Sequence, residues 1–258
     1  MSIELFNEDC IETMKRILDG SIDLMLTDPP YGITANQWDI TPNLPLMWNE
    51  WERILKPNGV WLFFCQRPFT ADLIVSRRGF YKYCLYWDKI RPKNHLNAKK
   101  QPMRDKEDVL VFYKKQCTYN PQWTWGEPYT SLKSGKTAKP STAKVSGKYM
   151  NGAEYRNGSD GRRYPKQVQE FGVVERGTIH PTQKPVDLFR YFIRTYTNEG
   201  ELVLDNTAGS GTTAIACLEE KRQFIVIEQD PNYFIKIKKR VADFNKIFSQ
   251  GTLFDACQ

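Results

Sequence analysis

The chain has 258 residues, of which 40% are hydrophobic and 26% charged, with a formal net charge of +7. That is enough for one α/β domain with a sizeable core plus inserted loops or a small subdomain, in the composition range of ordinary soluble globular proteins. No run of about 18 apolar residues occurs, which excludes a transmembrane helix. The opening segment MSIELFNEDCIETMKRILDG has early acids and no apolar stretch, so it does not read as a secretion signal.

Taken in chain order, residues 1–90 alternate strand and helix patterns. IDLMLT (22–27) is a short apolar run ending in Asp28-Pro29-Pro30, as a buried parallel strand does. Residues 46–56 have helical spacing and stop at Pro57-Asn58-Gly59. VWLFFC (60–65) and YCLYW (83–87) are two further strands. Residues 91–175 change character and read as an insert, rich in Lys, Gly, Ser, Thr and aromatics; within it 108–115 is a strand expected to return to the sheet. The stretch 131–165 is loop-like, and a loop of that length in a compact enzyme is functional or disordered. Residues 176–258 return to α/β: a helix over 185–197, a strand at 201–205, a helix over 212–221, a strand at 224–228. A last helix opens at Pro231 with apolar Phe234, Ile237, Val241, Phe244 and Phe248. This alternation predicts a doubly wound, mostly parallel sheet.

The six cysteines are scattered without a C-x-x-C pair and there are two histidines, so no metal-ligand spacing is present; free thiols packed in a core are expected. Residues 89–116 and 131–167 together hold eighteen of the 37 Lys and Arg against five acids. Phosphate contact and a solvated loop account equally well for charge of this kind taken alone.

Two stretches carry chemistry. In the first, a strand ends at Asp205, the turn Ala208-Gly209-Ser210-Gly211 leads into a helix, and the next strand ends at Glu228. Glycines allow close backbone approach to a ligand, and an acid at the second strand end can accept hydrogen bonds from ribose hydroxyls. The turn lacks the third glycine of a dinucleotide fingerprint and the Gly-Lys of a phosphate loop, so a nucleoside without a phosphate chain fits better. S-adenosylmethionine is such a ligand, with an ammonium that could pair with Asp205. Two glycines alone would favour a mere packing turn; the paired acids reverse that balance.

In the second, Thr27-Asp28-Pro29-Pro30-Tyr31-Gly32 follows a strand directly. Two prolines stiffen the turn and remove two donors, leaving the Asp28 carboxylate and Pro29 carbonyl as a rigid acceptor pair for an NH2 group. Tyr31 offers a plate on which a base can stack. A base amine is a poor nucleophile because its lone pair is delocalised; accepting its hydrogen bonds makes the nitrogen more tetrahedral. A base inside a duplex must be flipped out to reach such a pocket. Alone, the turn would read as structural.

Together these motifs resemble the β group of S-adenosylmethionine-dependent DNA adenine methyltransferases, in which Asp-Pro-Pro-Tyr precedes the cofactor motif and a recognition region lies between them. Asn7–Asp9 with Ser21–Tyr31 looks like the family's opening. Trp87-Asp88-Lys89 looks like its sheet-to-recognition junction, and His180-Pro181-Thr182-Gln183-Lys184-Pro185 like its pre-cofactor motif. The resemblance covers about residues 3–115 and 176–245. It implies a seven-stranded class I methyltransferase sheet in circularly permuted order, with 1–90 as the catalytic half, 91–175 as target-recognition insert and 176–258 as the cofactor-binding half. It implies that Asp28 and Pro29 hold the target amine, with Pro30 in the same turn, and that Tyr31 stacks on the flipped base. Asp205, Ala208, Gly209 and Gly211 would surround the methionine part of the cofactor, Glu228 its ribose and Asp9 its adenine, with Thr182 and Lys184 at the methionine end. His180 reads equally as a structural residue and as a ligand contact.

The expected activity is transfer of a methyl group from S-adenosylmethionine to N6 of adenine in double-stranded DNA, in the cytoplasm at the nucleoid. A homodimer and a cognate restriction endonuclease are left open as partners. The alternatives are N4-cytosine methylation, methylation of RNA or a protein amide, and a DNA-binding protein with an inactive methyltransferase fold. One position departs from the family: where Asp-Pro-Phe-Ala-Gly-Ser-Gly is common, this chain has Asp205-Asn206-Thr207-Ala208-Gly209-Ser210-Gly211, a difference that bears on cofactor affinity.

Overall fold

Leu24 and Leu26 fall in one apolar core and Ile22 and Met25 in another, so the run at 22–27 buries both its faces, as a central parallel strand must. The structure, a computed structural model, describes residues 3–32, 39–93, 95–128 and 160–255. Its elements are β1 (Ile3–Phe6), α1 (Cys10–Met14), β2 (Ile22–Thr27), α2 (Leu44–Ile54), β3 (Leu55–Cys65), α3 (Phe69–Ser76), β4 (Tyr81–Lys93), β5 (Arg104–Phe112), β6 (Thr124–Trp125), β7 (Arg162–Arg163), β8 (Val168–Glu170), α4 (Val186–Tyr196), β9 (Leu202–Asp205), α5 (Thr212–Glu219), β10 (Gln223–Ile227) and α6 (Pro231–Asp255). Two compact units divide them: Met1–Asn120 with Lys166–Gln258, and Pro121–Pro165. The second unit is narrower than the insert expected at 91–175, because β5 and β8 belong to the main sheet.

In the first unit one sheet runs β1-β10-β9-β2-β3-β5-β4-β8. The strands from β1 to β3 pair parallel, β5 is antiparallel to both β3 and β4, and β8 pairs parallel with β4. The seven expected strands are present. The eighth, β8, is a three-residue edge strand made by pairing with Tyr86–Asp88, and it carries no apolar alternation of its own. Strand β3 alternates over 60–64: Val60, Leu62 and Phe64 enter the core that also holds Phe189 and Phe192 of α4, while Trp61 and Phe63 enter the core that holds Trp48 and Trp51 of α2. Asn43 caps α2, accepting a hydrogen bond from the Leu46 amide at 3.3 Å. Helix α2 ends at Ile54, before the expected stop. Pro57-Asn58-Gly59 lies inside β3 as an irregularity between its pairings with Ile22 and Leu24. A Cβ at Gly59 would stand 2.7 Å from Leu55 and 3.0 Å from the Asp23 carbonyl, which explains the glycine.

The topology locates the functional crevice. From β9 the chain passes through α5 to β10 on one side of the sheet order, and from β2 through α2 to β3 on the other. Neighbouring strands β9 and β2 therefore send their connections in opposite directions, and their carboxyl ends open a crevice at this switch point.

The described part of the second unit is a two-stranded antiparallel ribbon of β6 and β7. Trp123 and Tyr164 pack with ring centroids 4.3 Å apart, and the Arg162 guanidinium lies 5.5 Å from the Trp123 ring centre. Most of the expected loop at 131–165, together with Cys257, lies outside the described residues. Cys65, Cys117 and Cys217 are buried and free, and Cys10 and Cys84 are half-buried and free. No helix among the described residues is long and apolar enough to cross a membrane.

Candidate active site at the strand switch point

The turns after β2 and β9 are tied together by a hydrogen bond between the Thr27 and Thr207 hydroxyls, 2.7 Å apart. Around them opens a cavity of about 860 Å³, lined by Asp28, Pro29, Pro30 and Tyr31 from one turn and by Asp205, Ala208 and Gly209 from the other; Glu228, Thr182 and Lys184 also line it. Two expected residues are not in its wall. Asp9 is the N-cap of α1, its carboxylate accepting from the Ile11 and Glu12 amides, and its neighbours Glu8 and Cys10 line the cavity instead. Gly211 caps α5 in a left-handed conformation (φ 71°), and a Cβ there would meet Ile237 of α6 at 3.0 Å.

On the β9 side, Asp205 is buried. One carboxylate oxygen accepts from the Thr207 amide at 3.1 Å and the other from the Thr213 hydroxyl. Burial above all, with a smaller push from the charges of Asp28 and Glu228 and against those two hydrogen bonds, raises its pKa to about 7. An anion held at such cost is a strong partner for a ligand cation. Glu228 uses one oxygen to accept from the Gly209 amide at 2.7 Å and the other from the Asp230 amide at 2.8 Å, which sets the carboxylate at the cavity wall. Asn206 is buried in the same wall, and its amide nitrogen and oxygen have no hydrogen-bond partner of ordinary geometry, only the Cys10 thiol nearby. Buried amides are ordinarily satisfied, so Asn206 marks a place for a polar ligand. Gly209 (φ 50°) leaves room that a side chain would take beside the His180 ring, 3.6 Å from where its Cβ would stand. His180 is held neutral: burial, then Lys184 and Lys236, push it down to about 4, and Thr182 donates to its Nδ1 through the hydroxyl (3.1 Å). Acids for a cation and for hydroxyls, an unsatisfied amide and a glycine-lined gap together fit S-adenosylmethionine.

On the β2 side, Asp39 accepts from the Tyr31 and Gly32 amides, both at 2.8 Å, and pins the turn. The Tyr31 ring lies against Phe69, with centroids 5.8 Å apart and planes 29° from parallel. Its hydroxyl donates to Asp28 Oδ1 at 2.5 Å and lies 3.3 Å from Glu107 Oε1. Lys184 donates to Asp28 Oδ2 and lies 3.1 Å from Glu107 Oε1, while Lys89 lies 2.8 Å from Glu107 Oε2. Burial would depress the Lys184 ammonium, but Asp28 and Glu107 hold it above its ordinary value. Burial pushes the Glu107 carboxyl up, and the two lysines more than offset this, leaving it lowered. For Asp28 burial wins and the carboxyl is raised.

Glu107 was missed in the sequence and Lys89 was read only as part of a junction. The signal for Glu107 was available: it stands in phase with Val109 and Val111 on β5, whose side chains face the core. A carboxylate at a core-facing register position is rare without a partner. Asn206 and Asp39 carried no such signal.

A sequence model of the N6/N4 DNA methylase family matches residues 22–239. The Type II methyltransferase M.HpaI of Haemophilus parainfluenzae is 26% identical over 95% of this chain and 76% of its own length. M1.MboII of Moraxella bovis is 25% identical over 87% of this chain and 91% of its own. Among solved structures, the M1.HpyAVI complex with SAM superposes with a TM-score of 0.59 at 26% identity, covering 92% of this chain and 99% of that one. The N4-cytosine-specific PvuII methyltransferase superposes at 0.63 and 16% identity, covering 96% and 93%, and shares the class I methyltransferase fold. With the matched region spanning both turns and everything between them, the chain belongs to the N6/N4 DNA methylase family, whose methyl donor is S-adenosylmethionine.

Proposed function

We propose that the chain is a site-specific DNA methyltransferase acting on the N6 amine of a flipped-out adenine, as a Type II modification enzyme. The observation that carries this reading is that the Asp28–Tyr31 turn and the Asp205–Glu228 crevice line one cavity. Asp205 would hold the donor's ammonium and Glu228 its ribose hydroxyls, with Asn206 and Gly209 beside them. When bound, S-adenosylmethionine supplies an electrophilic methyl carbon on a sulfonium, whose bonding pair returns to sulfur on transfer. The Asp28 carboxylate and Pro29 carbonyl accept from the target amine, freeing the nitrogen lone pair from the ring, and Asp28 takes the proton that the nitrogen sheds. Tyr31 stacks on the base once its hydroxyl leaves Asp28. The Asp at position 28 favours adenine, since cytosine enzymes of the family more often carry Ser there. The target-recognition role falls to the insert, including Pro121–Pro165.

Nucleoside analysis of DNA from an expressing, methylation-free host tests the base: N6-methyladenine is expected, and methylcytosine without it rejects the reading. Asp28→Ala should lower the transfer rate by about 10²–10⁴-fold while leaving DNA binding intact.

A further inference from the structure

Asp28 and Glu107 are linked twice. Lys184 bridges them on one side, touching Asp28 Oδ2 and Glu107 Oε1 (3.1 Å). The Tyr31 hydroxyl bridges them on the other, at 2.5 Å to Asp28 Oδ1 and 3.3 Å to Glu107 Oε1. These four groups form a closed ring, and Lys89 completes its charge balance from outside, 2.8 Å from Glu107 Oε2. The side chains of Glu107, Lys184 and Lys89 are only 3%, 7% and 10% exposed. Asp28, in the cavity wall, is 20% exposed. Lys184 is also moored from the cofactor side, its carbonyl accepting from the Thr212 hydroxyl at 3.2 Å.

Buried ion pairs add little stability over apolar side chains of the same volume, and breaking one is strongly destabilising. Three buried charged side chains at one cavity wall therefore need another reason. Before the base enters, both oxygens of Asp28 are aimed by groups in contact with Glu107, and Lys184 remains on Oδ2 once Tyr31 has moved. An ammonium shared between two carboxylates neutralises each only in part, so Asp28 keeps more acceptor strength than it would with Lys184 to itself. We infer that Glu107 is a positioning residue for methyl transfer: through Lys184 it fixes the direction and the acceptor strength of the Asp28 carboxylate, and the Tyr31 hydroxyl shares in this until the base enters. This rests on the reading above in which Asp28 receives the target amine.

The charged and titratable groups facing Asp28 are Lys184 ahead of α4, Glu107 on β5, Tyr31 in its own turn and Asp205 at the end of β9; Lys89 on β4 faces Glu107. Glu107→Gln removes one negative charge and leaves Lys184 acting undivided on Asp28. The acid limb of the kcat–pH profile should then move down by about half a pH unit or more. At the plateau kcat should fall by about tenfold or more, with KM for DNA and Kd for S-adenosylmethionine within about twofold of wild type. Glu107→Asp keeps the charge, so its acid limb should stay at the wild-type position while kcat is intermediate. A wild-type kcat in Glu107→Gln, or a lowered kcat with an unmoved acid limb, overturns the inference. If that variant does not fold because Lys89 is stranded, Lys89→Met with Glu107→Gln removes both charges and carries the same two readouts. Asp28→Ala separates the two levels: full transfer by that variant overturns the placement of the amine at Asp28. Its inactivity beside wild-type behaviour of Glu107→Gln overturns the role of Glu107 alone.

Discussion

Asp205 shows how one residue can couple cofactor binding to pH. Its carboxyl is raised from 3.8 to about 7, so the folded protein holds this proton more tightly than the unfolded chain. The sign follows: this group's contribution to stability is greatest at low pH and is lost as pH rises from about 4 to about 7. Binding of a cationic ligand has the opposite dependence, because it needs the ionised form. The affinity for S-adenosylmethionine should therefore weaken by up to about tenfold per unit as pH falls below 7, with a proton released on binding. Calorimetry at pH 6 and 8 in buffers of different ionisation enthalpy checks this, and Asp205→Asn should bind weakly with no such dependence. Thr207, where an aromatic is common in the family, bonds Thr27 across the switch point. The departure in sequence is a clasp between two turns in the structure, made by residues 180 positions apart.

At the scale of elements, the site depends on how α5 leaves β9. The turn needs Gly209 and Gly211 at positive φ, and Gly211 is also where α5 touches α6. Gly211→Ala adds a Cβ 3.0 Å from two Ile237 carbons in a left-handed conformation. It should destabilise the protein by about 1–3 kcal/mol and weaken cofactor binding by tilting the start of α5. Urea unfolding and a binding titration report the two effects, and an unchanged unfolding midpoint would show that Ile237 gives way freely. The elements legible in the sequence were those with strong period, such as β2, β3 and α4, whose apolar positions face cores on the sheet's two sides. Among those that escaped were α3, the short β6 and β7, β8 (three residues defined only by its partner β4), and the Pro57-Asn58-Gly59 irregularity, whose glycine answers to Asp23 and Leu55 rather than to its neighbours in sequence.

For the whole molecule, the question is how recognition is divided from chemistry. Among the described residues, those that line the cavity belong to the first unit, which also contains the sheet. The basic stretch 131–165 lies outside that unit, so its removal should leave the chemistry intact. A chain lacking 131–165 should bind S-adenosylmethionine with unchanged affinity but lose its preference for one DNA site, with methylation mapped by sequencing of modified bases. Retained site preference would place recognition elsewhere. The DNA affinity that remains should fall steeply with salt, as phosphate contacts from Lys and Arg do.

The sequence by itself determined the local chemistry: a proline-stiffened acceptor turn, a glycine turn between two acids, and the alternation that makes a parallel sheet. Each is a property of neighbours along the chain, governed by φ/ψ preference and side-chain period. Only the tertiary structure decided that Glu107 stands behind Asp28 and that Lys184 joins them. It also decided that Asp9 caps a helix while Glu8 and Cys10 face the cavity. The reason is distance along the chain. Asp28 and Lys184 are 156 residues apart and Tyr31 and Glu107 are 76 apart, and burial makes their charges interdependent only after the sheet has brought them together.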